Sequence, residues 1–169
     1  MKKKNFIKVV IIIVLLILVD QGIKLYVGIN KTNFELIHGF LSINYVENTG
    51  SAFGIGSGSL LTIIISNFIV LGIVIKFLVT QFERIDKLTR AVLYIVLAGG
   101  FSNLFDRIIR GFVVDYIDIN AFLKFPVFNL ADIYIVLGWI MLIFLTIKCA
   151  FRKEQKNERK NCDTRCTDR

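Results

Sequence analysis

The stretch Val113–Asp132 reads VVDYIDINAFLKFPVFNLAD, with an aspartate near each end, Asp115 and Asp132, and the only proline of the chain, Pro126, between them. Asp132 stands just inside a hydrophobic run that continues to Ile147. A carboxylate at the mouth of a membrane span is unfavourable unless it is paired or used; at a helix centre an acid costs roughly 2.5–3.5 kcal/mol, and less near the ends. Ionisable residues so placed are functional candidates. Here two of them flank one short, aromatic-rich segment.

The rest of the chain has the composition of a membrane protein. Of its 169 residues 55% are hydrophobic and 15 are phenylalanine, and the mean hydropathy is +0.66. A span needs about 20 apolar residues to cross roughly 30 Å of hydrocarbon. Four windows qualify, near 6–28, 59–80, 91–110 and 127–149. The first follows three lysines like a signal peptide, but Asp20, Gln21 and Lys24 interrupt it where a small-residue cleavage site would stand, so an uncleaved signal anchor is expected. The net charge of +8 does not point to nucleic acid. All Lys and Arg except Lys24, Lys31, Arg107, Arg110 and Lys124 fall at the amino end, around the short middle loop (Lys76 to Arg90), or from Lys148 to the end. In a four-span chain this asymmetry places both termini in the cytoplasm.

Between the spans, Phe40–Glu47 alternates apolar and polar residues like a short half-buried strand. The glycines of Gly54–Gly58 fit a turn back to the membrane and match neither a dinucleotide nor a phosphate-loop pattern. Asp20 and Lys24 are four apart and share a helix face, suited to an ion pair near the outer interface. Gly99 and Gly100 allow close helix approach. Asn103, Asp106, Arg107 and Arg110 crowd the end of the third span. Pro126 suits the first position of the fourth helix, and Asn129 and Asp132, three apart, share a face. Trp139 is expected to pack inside the bundle.

With one histidine there is no HExxH site and no His-rich metal centre, and His38, alone in a loop, is expected to be interfacial and not a triad member. The three cysteines, Cys149, Cys162 and Cys166, lie at the cytoplasmic end, where a C-x3-C pair without histidine makes a poor zinc site. Carboxylates remain, or a serine activated by lysine, for which Ser51 and Lys24 are available. Two aspartates in a site of low dielectric do not both ionise readily; one keeps a proton while the other acts as a base on water. Asp115 and Asp132 are placed to converge at the outer end, with Asp118 as an equal candidate to Asp115. A small proton-coupled transporter would also carry intramembrane acids, though nearer mid-span and with internal repeats.

Five blocks, in order, resemble the lipoprotein signal peptidases (signal peptidase II): Asp20-Gln-x-x-Lys24, Asn48-Thr-Gly-Ser-Ala-Phe53, Gly99-Gly-x-x-Asn-x-x-Asp-Arg107, Val113-Val-Asp-Tyr116 and Phe128-Asn-Leu-Ala-Asp132. The resemblance implies an all-α membrane protein of four transmembrane helices, with a small extracytoplasmic β-cradle and a short outer-face helical segment. It implies one peptidase domain over 1–151, followed by a charged tail, 152–169, expected to be disordered. The implied activity is that of an intramembrane aspartyl endopeptidase of the bacterial cytoplasmic membrane. Its substrates would be diacylglyceryl-modified prolipoproteins, cut just before the lipid-bearing cysteine, with globomycin as a cyclic peptide inhibitor. By motif, Asp115 and Asp132 are the implied catalytic pair, which favours Asp115 over Asp118. Asp20, Lys24, Asn48, Gly50, Asn103, Arg107 and Asn129 are implied to shape the site or contact substrate. No metal or cofactor is implied, membrane lipid is the surrounding partner, and a monomer is expected.

Overall fold

The computed structural model describes residues 3–50, 59–119 and 125–167. Its order is α1 (Lys3–Asn30), β1 (Asn33–Ile37), β2 (Leu41–Asn48), α2 (Leu60–Gln81), α3 (Lys87–Arg110), β3 (Val113–Asp118) and α4 (Leu130–Thr167). Four segments are long and apolar enough to cross a membrane: Ile7–Asn30, Leu60–Gln81, Lys87–Arg110 and Leu130–Arg152. Side-chain caps set two of the starts. The Ser59 hydroxyl accepts from the Thr62 amide, and Asp86 Oδ1 accepts from the amides of Leu88 and Thr89, each meeting donors that a first turn leaves unpaired. α3 ends at Gly111, whose φ of 80° is the left-handed stop that glycine adopts without penalty.

α3 is the central helix. Of its apolar window 56% is buried inside the protein, against 11% for each of the other three, which turn most of their surface outward. Leu71 and Val74 of α2 pack with Leu93, Leu97 and Leu104 of α3. The adjacent glycines serve two neighbours. A methyl group at Gly99 would run into the Ala131 carbonyl of α4, and one at Gly100 would meet Leu71 Cδ2 of α2 at 2.6 Å. α3 is thereby held close to α4 at the level where Asp132 stands.

The three strands form one antiparallel sheet in the order β1-β2-β3. Val46 pairs with Asp115 and Asn48 with Val113, and a register shift on β2 lies between Ile43 and Val46. The strand expected over 40–47 is β2, while β1 and β3 add two that the alternation did not reveal. Val113–Asp118, which carries Asp115, is strand; residues 120–124, between the two acids, lie outside the described residues.

Three boundaries differ from expectation. α1 runs on to Asn30, two residues past the expected end at 28, with Asp20 and Lys24 well inside the helix. α4 begins at Leu130, four residues past Pro126, because Phe128 is engaged in backbone pairing with β3: its amide donates to the Ile117 carbonyl at 3.0 Å, and its carbonyl accepts from the Tyr116 and Ile117 amides. At the other end the backbone stays helical to Thr167, where disorder is expected; Lys, Arg, Glu and Gln in this tail are good helix formers. Trp139 is 42% exposed on the outer surface of α4 and not packed inside.

Candidate active site

Two local devices bring the acids together. Asn129 and Asp132 form a reciprocal cap at the start of α4: the Asp132 amide donates to Asn129 Oδ1 at 2.9 Å, and the Asn129 amide donates to Asp132 Oδ2 at 3.1 Å. This is the capping-box arrangement, built from Asn and Asp. The Phe128 backbone pairing then fastens that first turn against β3, the strand that carries Asp115.

Asn129 joins the two carboxylates. Its Nδ2 donates to Asp115 Oδ1 at 2.6 Å and to Asn103 Oδ1 at 3.2 Å. Asn103 Nδ2 donates to Asp132 Oδ1 at 2.7 Å, and Asn48 Nδ2, from the end of β2, donates to Asp115 Oδ2 at 2.8 Å. All four carboxylate oxygens therefore receive a donor. Asp115 is 2% exposed and Asn129 fully buried. Burial pushes the Asp115 carboxyl up from its ordinary range to about 6; Asn48 and Asn129 oppose the rise and the nearby charge of Asp132 adds to it.

Gly50 follows the strand end, where its amide donates to Asn48 Oδ1 at 3.0 Å. Arg107 spans from α3 to this segment, with Nη2 donating to the Gly50 carbonyl at 3.3 Å. Its guanidinium ties the sheet to the helical bundle beside both acids.

Behind the pair lies a buried ion network between α1 and α3. Lys24 Nζ meets Asp20 Oδ2 at 2.7 Å, Asp106 Oδ2 at 2.8 Å and Asn103 Oδ1 at 2.8 Å. Asp106 Oδ1 also accepts from Arg110 at 2.6 Å. Asp20 reaches α4 itself, its Oδ1 accepting from the Ala131 amide at 3.0 Å. Isolated charges at this depth are strongly unfavourable, so mutual compensation is what allows the network to be buried.

All nine candidate positions thus meet in one contiguous set: Asp20, Lys24, Asn48, Gly50, Asn103, Arg107, Asp115, Asn129 and Asp132. Asp118 is excluded from it. Being three residues from Asp115 on a strand, it points to the opposite face, and its Oδ2 accepts from Asn44 at 2.7 Å. Ser51, the alternative nucleophile, lies outside the described residues, while Lys24, its proposed base, is fully buried against three oxygens.

Three supporting groups were not picked out from the sequence. Ser102 Oγ donates to Asp20 Oδ2 at 2.6 Å. Gln21 Nε2 donates to Ser102 Oγ and Asp106 Oδ1. The Tyr116 hydroxyl, buried and for that reason harder to ionise than usual, accepts from the Leu130 amide at 3.3 Å. Gln21 and Tyr116 are fixed positions of the motif blocks to which the resemblance attaches no role, and Ser102 fills an open position of the third block.

Two carboxylates sharing an asparagine in a desolvated pocket have the chemistry to divide one proton, leaving a base for water and an acid for a carbonyl oxygen.

Comparison with known proteins gives a consistent picture. The family model described as signal peptidase (SPase) II matches residues 12–148. The lipoprotein signal peptidase of Staphylococcus haemolyticus (strain JCSC1435) is 31% identical over 159 residues, covering 91% of this chain and 100% of the relative. That of Staphylococcus aureus (strain JH9) is 34% identical over 161 residues, with 92% and 98% covered. Among solved structures, a bacterial membrane enzyme determined by the in meso method at 2.3 Å superposes with a TM-score of 0.78 at 31% identity, over 86% of this chain and 91% of that one. A second, at 1.9 Å, gives 0.72 at 30% identity, with 83% and 92% covered.

Proposed function

The chain belongs to the signal peptidase II family, and on that premise we propose that it removes signal peptides from lipoprotein precursors by activating water between Asp115 and Asp132. The observation that carries the mechanism is the bridge through Asn129, which donates to one acid and caps the helix turn that holds the other. One acid takes a proton from water as the oxygen attacks the scissile carbonyl; the other, protonated, donates to the developing oxyanion. The proton then passes to the leaving amine, and no covalent acyl-enzyme forms.

Asn103, Asn129 and Asn48 orient the carboxylates, Asp20 and Lys24 brace α3 against the start of α4, and Arg107 and Gly50 hold the edge along which an extended peptide lies. The scissile bond precedes a diacylglyceryl-modified cysteine whose acyl chains lie between helices, facing the bilayer. The distribution of Lys and Arg supports cytoplasmic termini and a site near the outer face of the bacterial membrane. The enzyme acts as a monomer without a metal or cofactor, and globomycin blocks the site.

The test uses the purified full chain and a synthetic precursor peptide, with and without diacylglyceryl on its cysteine. Mass spectrometry should show one cut, immediately before the modified cysteine, inhibited by globomycin, with the unmodified peptide left intact. Equal cleavage of both peptides, or a cut elsewhere, would overturn the substrate assignment.

A further inference from the structure

Lys24 does not touch either acid, yet its contacts decide which way one of their partners faces. We infer that Lys24 is a positioning residue that fixes the sense of the Asn103 amide, making Asp132 the ionised member of the pair and leaving the proton on Asp115. This deepens the proposed function and rests on its assignment of the pair.

Asn103 Oδ1 accepts from Lys24 Nζ at 2.8 Å and from Asn129 Nδ2 at 3.2 Å, which leaves Nδ2 to donate to Asp132 Oδ1 at 2.7 Å. Rotating the amide by half a turn would set its NH2 group against an ammonium and another amide donor, and its oxygen against a carboxylate. Both contacts would be repulsive in a buried site, so the lysine charge holds the amide one way round.

The surroundings of the two acids are unequal. Asp132 accepts this charge-backed hydrogen bond and also sits in the first turn of α4, taking the Asn129 amide at the helix end that favours anions. Asp115 stands on a strand, and its donors are two neutral side-chain amides, those of Asn48 and Asn129. The charged and titratable groups facing the pair are Lys24 and Asp20 from α1, Arg107 from α3 and Tyr116 from β3. Lys24 and Arg110 balance Asp20 and Asp106 within their own network. Among the described residues, Arg107 is then the one cation left beside the pair to balance one ionised aspartate.

Lys24→Met alone would strand two buried carboxylates against Arg110, so the informative variant is Lys24→Met with Asp106→Asn, which keeps the network neutral. In detergent, with the lipidated peptide, it should lower kcat about tenfold while KM changes little. The acid limb of the pH profile should rise by about one pH unit, the size of one hydrogen bond to a charged group. Lys24→Arg should keep most of the wild-type profile. Infrared spectra of the resting enzyme at about pH 5, where an ordinary aspartate is ionised, give a readout independent of cleavage. The protonated-acid carbonyl band should vanish in Asp115→Asn and survive in Asp132→Asn; on the Lys24→Met/Asp106→Asn background, Asp115→Asn should no longer remove it. A wild-type pH profile in the double variant, or a band lost with Asp132 in place of Asp115, would overturn the inference. Absence of cleavage by the wild type would instead undermine the proposed function and leave the infrared result standing.

Discussion

Replacing Gly99 by alanine separates the geometry of this site from the stability of its fold. The added methyl would press into the Ala131 carbonyl oxygen and lie 3.0 Å from Ile135 Cγ1 and 3.1 Å from Tyr134 Cβ. A backbone carbonyl in the first turn of α4 cannot rotate away, so that turn must move outward, by about 1 Å. It carries Asp132, whose 2.7 Å bond to Asn103 on α3 spans this same contact. Overpacking costs about 1–3 kcal/mol, and alanine returns about 1 kcal/mol of helix propensity relative to glycine, so the net loss of stability is small. A catalytic group misplaced by about 1 Å can cost on the order of 10²-fold in rate. The expected result is therefore a thermal midpoint within a few degrees of wild type, on the scale of about 2–4 °C per kcal/mol for a chain of this size, with cleavage of a lipidated peptide down about 10²-fold. Gly100→Ala is the control: it meets only the end of the Leu71 side chain, facing α2 and away from the acids, and should retain near-normal activity. Wild-type turnover by Gly99→Ala, or an equal loss in Gly100→Ala, would refute the reasoning.

Other outcomes follow from the same contacts. Burial raises the Asp115 carboxyl from 3.8 to about 6, so its contribution to stability is fully present below about pH 4 and is lost as pH rises through about 6. Asp115→Asn removes that loss and should stabilise the protein at pH 7 by up to about 2–3 kcal/mol, less whatever the mismatched Asn48 and Asn129 donors take back; the thermal midpoints of variant and wild type should converge as pH falls to about 4. Asp118→Asn should leave cleavage near normal, since Asp118 faces Asn44 on the other side of β3, and a loss of more than about tenfold would return it to candidacy. Ser51→Ala should also keep activity, and its inactivity in the peptide assay would revive a serine–lysine mechanism.

The spans were legible because lipid demands long apolar runs, and a run such as Leu60–Val79 has no other reading in a chain of this size. The acids were legible because charge at such depth needs a reason. β3 was not, because its side chains are buried on both faces apart from Ile117, which erases the alternation that betrayed β2. The start of α4 was misplaced by attention to Pro126. The Asn129–Asp132 spacing already contained a capping box, and the Phe128 pairing that delays the helix is a tertiary contact with no local signature. Asp115 and Asp118 could be separated only by motif until strand geometry put them on opposite faces. Gln21 and Ser102 act through contacts more than 80 positions apart in the chain, beyond the reach of any local pattern. Asp20 and Lys24 read from spacing as an interfacial pair, whereas the structure buries both completely and extends them to Asp106, Asn103 and α4.

The central claim is that two aspartates, from β3 and α4, together activate water. It is tested most directly by single-turnover cleavage of a diacylglyceryl-modified peptide by Asp115→Asn and Asp132→Asn, each first shown to keep the wild-type fold by circular dichroism and thermal unfolding in detergent. The account predicts that each folded variant loses cleavage by at least about 10³-fold, the scale of removing an essential acid or base. Near-normal cleavage by either variant would contradict it.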